Sequence, residues 1–214
     1  MDNSTSSIPG AAIRGTASGV IFMAFFGTFW AYTGVMGLQG WGTALLLIIA
    51  VAIGLVLFLS AASLIRASRK LANQGSKSDL RVSKMKGKKF YFIFAGEGVA
   101  IYIAVLLCNS LGRPELIPGI IAIIVGIHFF PLAPLFQVRL YYVTGALLCL
   151  LPIVTWLSFS QKVIIDGHEV VAYMAIIGLG SALILWATGL AVWLQGKSLL
   201  SAAAAQQSGK PVGA

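Results

Sequence analysis

The chain has 214 residues, 58% hydrophobic and 10% charged, with a mean hydropathy of +0.93. A soluble domain carries about 25% charged residues, so this composition excludes an ordinary soluble enzyme or binding module and points to a bilayer as the solvent of the apolar surface. The net charge of +9 is concentrated, because nine basic residues and one acid, Asp79, fall between positions 66 and 89. A basic stretch between two apolar runs marks a cytoplasmic loop. Nucleic-acid binding calls for a basic face on a folded domain, and nucleic acid is not expected as a partner.

Residues 1–15 are small and polar and read as a flexible tail, whose sequon Asn3-Ser4-Thr5 would be silent on the cytoplasmic side. The apolar run 16–38 is too long for a signal-peptide core and reads as a retained first span. The turn Gln39-Gly40 leads into a second span, 41–65, and the basic loop 66–89 follows. The third span is 90–111, the fourth 115–136 after Gly112-Arg113-Pro114, and the fifth 140–159 after Gln137-Val138-Arg139. The polar stretch 161–169 reads as a loop, 170–194 as the sixth span, and 196–214 as a flexible tail. Runs of this length match membrane helices, whereas a barrel needs short alternating segments. The expected fold is therefore all-α, a polytopic membrane bundle of six transmembrane helices with both termini on the cytoplasmic side.

Orientation follows from the basic residues. With the N-terminus inside, Arg14, the nine of the long loop, Arg139, Lys197 and Lys210 are cytoplasmic, which is 13 of 15, and only Arg113 and Lys162 lie outside. Trp41, Trp156 and Tyr173 then fall at the outer interface and Tyr91, Tyr141, Tyr142 and Trp193 at the inner one, where amphipathic rings are favoured. Three spans in each half would suit an inverted repeat. The matching stretches, Trp30-Ala31-Tyr32-Thr33-Gly34 and Trp186-Ala187-Thr188-Gly189, are too short to establish one.

Two ionisable side chains fall inside spans, Glu97 in the third and His128 in the fourth. Such groups are costly at depth and by default mark a functional site with a partner. At a rise of 1.5 Å per residue, Glu97 sits roughly 6 Å and His128 roughly 3 Å from mid-span, both toward the cytoplasm. The short turn between the two spans makes the spans neighbours and puts the two groups within reach of one another, which leaves their contact open. The face of Glu97 continues through Ala100, Ala104 and Cys108, and small faces in membrane bundles point at other helices. His128 opens a run with Pro131 and Pro134, which free the carbonyls of Ile127 and Phe130, and broken helices line binding sites in transporters. Ser60, Thr144, Tyr142 and Trp186 lie at similar depth and would complete a polar patch. The candidate proton or substrate site is thus Glu97, His128, Pro131, Thr144 and Trp186. The competing reading is a protonated carboxyl and a bonded histidine that only join helices.

Catalytic motifs fail on inspection. His168-Glu169-Val170-Val171-Ala172 lacks the second histidine of a zinc site, and Gly178-Leu179-Gly180-Ser181-Ala182 lacks the closing glycine of a nucleophile elbow. Cys108 and Cys149 lie in apolar spans and read as packing residues. No catalytic residue, metal or cofactor is expected. Arg66, Arg69, Lys70, Lys84, Lys86, Lys88 and Lys89 form a candidate surface for anionic lipid headgroups, although setting topology accounts for them as well.

The run Gly126-Ile127-His128-Phe129-Phe130-Pro131-Leu132-Ala133, followed by Tyr141-Tyr142, resembles a pattern in small bacterial six-helix inner-membrane proteins to which no activity is attached. The resemblance implies a bacterial inner-membrane location and nothing about chemistry. The function expected from the residues is a small, proton-linked transporter or channel-like protein, and the alternative is a non-catalytic membrane subunit, scaffold or lipid-binding protein. The partners implied are the lipid bilayer, a small-molecule or ion substrate and, by self-association, a homo-oligomer.

Overall fold

The computed structural model describes residues 10–70 and 77–207. Six helices are long and apolar enough to cross a membrane, as the spacing of apolar runs predicts. They are α1 (Gly10–Met36), α2 (Thr43–Lys70), α3 (Lys77–Ser110), α4 (Ile117–Phe136), α5 (Leu140–Ser158) and α6 (Ala172–Gln207). A hairpin of β1 (Lys162–Ile165) and β2 (His168–Val171) joins α5 to α6, and a 3-10 turn, Pro114–Leu116, precedes α4.

The centre of the bundle is the pairing of α1 with α6. Its cause is a repeat of small residues every seven positions. On α6 these are Ala175, Ala182, Gly189, Gly196 and Ala203, all buried; on α1 they are Ala17, Ala24 and Ala31 in one row and Val20, Gly27 and Gly34 in the next. Small residues let two helices approach until their backbones touch. A methyl on Gly34 would strike the backbone of Leu179, and one on Gly178 would strike that of Gly34. Gly27 lies under Trp186, where an added Cβ would stand 2.6 Å from the indole ring. Gly37 meets Ala175, Gly189 meets Met23 and Gly196 meets Thr16, so the two helices run antiparallel in one register along their length.

The other helices flank this pair. The hairpin partner α2 packs on α1 and α6, α5 on α6, and α4 on α5 and α6. Gly126 and Gly145 face each other across α4 and α5, almost as closely as the glycines of the central pair. The outermost helix is α3, which packs along α4 and reaches α1 through the rings of Phe90 and Phe94 against Phe22. A 3+3 inverted repeat is not seen: α5 packs along α6, but α2 has no equivalent packing on α3 among the described residues.

Helix ends differ from the sequence reading in a consistent direction. The first helix begins at Gly10, inside the expected tail, and α6 continues to Gln207. Helices also extend into the expected loop 66–89, since α2 runs to Lys70 and α3 starts at Lys77. Hydropathy locates where a helix leaves the hydrocarbon, not where it stops. Alanine and lysine are good helix formers, so Ala202 to Ala205 and the lysine-rich start of α3 prolong helices beyond their spans.

The stretch read as a loop at 161–169 is a β-hairpin with Ile165 paired to His168 and Lys162 to Val171. Asp166 and Gly167 both have positive φ, 49° and 79°, which is what a two-residue hairpin turn with the strand twist requires. Flanking β-branched residues supply the strands. The Val171 amide donates to the Gly37 carbonyl at 2.8 Å, tying the hairpin to the end of α1. Tyr141, at the start of α5, does not present its ring to the surroundings of the bundle. It is buried, with its ring on Phe129 and Phe136.

The close approach predicts a sharp contrast between glycines. Gly178→Leu should destabilise the protein at the upper end of about 1–3 kcal/mol, the range for overpacking. Gly87→Ala, whose Cβ would meet nothing within 4 Å, should leave the thermal midpoint in detergent unchanged or raised.

Candidate functional site

Glu97 and His128, whose contact the sequence left open, meet in the structure. The His128 Nδ1 lies 3.1 Å from the Glu97 Oε2, with the side chains 9% and 11% exposed respectively. The small face of α3 explains the burial, for Glu97, Ala100, Ala104 and Cys108 form its covered stripe while Tyr91, Phe92, Val99 and Tyr102 are exposed. The contact has the distance of an ion pair but not the direction of a ring N–H hydrogen bond, and Nδ1 has no other partner. Counting 1.5 Å per residue along the spans Gly87–Ser110 and Pro114–Phe136, both groups sit within about 5 Å of mid-span.

One side of the pair is aromatic. The Phe94 ring stands edge-on to His128 at 6.4 Å and contacts Phe22, Phe26 and Phe90 at 6.2, 6.5 and 6.0 Å. Phe90 carries the cluster on to Phe136. Sequence reasoning missed this group. Its signal was present, because Phe90, Phe94 and Glu97 follow the i, i+4, i+7 spacing of one helix face, as Phe22 and Phe26 do on α1.

The remaining predicted site residues are elsewhere. Thr144 is buried between α5 and α6, where its hydroxyl lies 2.8 Å from that of Thr188, and it also donates to the Leu140 carbonyl. Trp186 lies in the α1–α6 seam against Gly27, with Nε1 unpartnered. Tyr142 is exposed beside Phe130, and the carbonyl of Ser60 accepts from Trp193 Nε1 at 3.1 Å. The polar patch expected at this depth is therefore dispersed over separate helix interfaces. Only Glu97 and His128 converge.

The fourth helix is also not broken. It continues through Pro131 and Pro134 to Phe136 and closes on Gln137 in the left-handed region, with φ 59°. Both prolines are exposed and fall in its last two turns, and each removes one amide, so the carbonyls of Ile127 and Phe130 lose their helical donors although the helix continues. A groove of ≈ 360 Å³ opens between α5 and α6, lined by Val143, Leu147, Leu183 and Ala187 beside the two threonines. It holds no ionisable group. Among the described residues no group of three His, Cys, Asp or Glu is placed to hold a metal ion.

Charge is divided between the two ends of the bundle. At the end holding Arg113 and Lys162 each cation is paired, Arg113 with Glu115 at 3.6 Å and Lys162 with Glu169 at 2.7 Å. At the other end Arg66, Arg69, Lys88 and Lys89 are exposed and Lys197 lies 4.8 Å over the Trp193 ring. The side chains of Lys70, Lys84 and Lys86 lie outside the described residues.

No family model, curated protein or solved structure matches this chain.

This geometry separates pairs that couple from pairs that do not. In a double-mutant cycle on thermal stability, Glu97→Gln and His128→Ala should be non-additive by about 0.5–3 kcal/mol. Glu97→Gln and Thr144→Val, on different interfaces, should add within about 0.5 kcal/mol.

Proposed function

We propose that the chain is a small multi-pass membrane transporter, proton-linked through Glu97 and His128. The observation that carries this reading is the 3.1 Å contact of a carboxyl and an imidazole, both nearly nine-tenths buried, on adjacent spans. Ionisable groups inside a bilayer are expensive and are retained where they move or balance charge. A carboxyl and an imidazole in contact can share one proton, held on Glu97 or on His128. The two states differ in charge separation, so each stabilises a different arrangement of the helices around them. The outermost position of α3 supports this, since a helix anchored mainly along one neighbour can shift without opening the α1–α6 core. His128 acts as the partner that holds the proton when Glu97 releases it.

In this reading both termini face the cytoplasm of a bacterial inner membrane. Arg113 and Lys162 at one end against Arg66, Arg69, Lys88, Lys89 and Lys197 at the other support the orientation, because cytoplasmic ends carry the excess of Lys and Arg. The same exposed basic end supports a second role, contact with anionic lipid headgroups, which a scaffold or lipid-binding protein would also use.

Two experiments test the reading. Reconstituted in liposomes under an imposed pH gradient, the protein should dissipate the gradient, and Glu97→Gln should abolish that activity; unchanged flux in the variant would sink the mechanism. For orientation, Lys162→Cys in a chain lacking Cys108 and Cys149 should react with an impermeant maleimide on intact cells. Arg66→Cys should react only after permeabilisation.

A further inference from the structure

We infer that the Glu97 site takes an organic cation with an apolar body, admitted sideways between α1 and α3. The inference rests on the reading of Glu97 and His128 as a membrane-embedded exchange site, and goes further by assigning the chemistry of the cargo.

Across residues 92–101 of α3 and 120–136 of α4, Glu97 carries the only side-chain oxygens and His128 the only side-chain nitrogens. The buried hydroxyls of Thr144, Thr155 and Thr188 sit on α5 and α6, each bonded to its own helix. A small hydrated metal cation gives up its water only to several oxygen ligands, and one carboxyl does not supply them. An anion finds no lysine or arginine on these stretches. A cation whose charge is spread under apolar groups needs no such cage. It carries a weak hydration shell, and the carboxylate balances its charge.

The aromatic cluster supplies the rest of the surface. Phe94 touches His128, Phe22, Phe26 and Phe90, so the rings continue from the charged pair to the edge of the bundle. Aromatic faces attract cations, most strongly where water is excluded. Phe94 and Phe22 are 38% and 39% exposed, which leaves their outer faces open. The flanks of Glu97 are bare, since a Cβ on Gly96 or Gly98 would meet nothing within 4 Å. An apolar cation dissolved in the bilayer can thus reach the rings from the side and the carboxylate behind them. On binding it takes the place of the shared proton as the positive partner of Glu97; that proton passes to water, which leaves the carboxylate charged and His128 neutral, and no other bond is made or broken.

Tetraphenylphosphonium tests the assignment, with tetraphenylborate as the anion of the same shape. The purified full-length protein in detergent should bind the phosphonium saturably. Glu97→Gln should lose that binding, Phe94→Ala should weaken it about tenfold, and Phe94→Trp should preserve it. Thermal midpoints of the variants show whether each is folded, and Phe94→Ala carries the test should Glu97→Gln fail to fold. Equal binding of the borate, or binding unchanged in both Glu97→Gln and Phe94→Ala, overturns the inference. Proton flux that depends on Glu97 with no phosphonium binding overturns the cargo assignment and leaves the proton-linked reading standing. Glu97-dependent phosphonium binding without any proton flux supports the cargo assignment and overturns the proton linkage.

Discussion

Two helix backbones touch where Gly34 and Gly178 face each other, and the rest of the bundle is arranged around that contact. In hydrocarbon the hydrophobic effect does not press helices together, so association depends on packing and on close approach. Rows of Ala and Gly seven residues apart give α1 and α6 a smooth face over their whole length. Four large residues of α1, Phe22, Phe25, Phe29 and Tyr32, are left on the outside, while Trp30 is buried. The first and last helices of the chain thereby form its core, and the helices between them in sequence become the shell.

That arrangement decides where chemistry can sit. The inner seam is tightly filled, with Trp186 pressed on Gly27 and no ionisable group among its described side chains. The ionisable pair is found instead between α3 and α4, at the rim of the bundle, where aromatic rings rather than backbones make the contact with α1. A close-packed interior has two options, intact or disrupted. A rim helix held by side chains can take intermediate positions, and a group that changes charge is better tolerated there. The separation of a rigid centre from a looser edge is the physical basis of the function proposed above.

The polar residues at similar depth show why depth alone does not make a site. Thr144, Trp186, Ser60 and Tyr142 were expected near the level of Glu97, yet each belongs to a different interface. Depth is a one-dimensional property that residue counting gives directly. Convergence depends on the rotation of each helix about its axis and on which neighbours it meets, and in a chain this uniformly apolar few residues reveal either. Glu97 and His128 were legible because a short turn joins their helices and a small stripe gives the direction of one of them.

The amino-acid sequence by itself determined the number of apolar helices, their spans, the strong division of charge and the presence of Glu97 and His128 on adjoining spans, while their contact came from the structure. These are properties of composition along a line, or of segments joined by a few residues. It also held the heptad of small residues on α1 and α6 and the Asp166-Gly167 turn, although hydropathy obscures the first and a short polar stretch the second. Only the tertiary structure decided that α1 and α6 are partners, that α3 is outermost, and that Phe94 joins the charged pair to the surface. Those relations link residues more than a hundred positions apart, or depend on which face of a helix is turned inward. Local propensity and hydrophobicity are nearly the same on all sides of these helices, so the choice falls to backbone approach and ring packing in three dimensions.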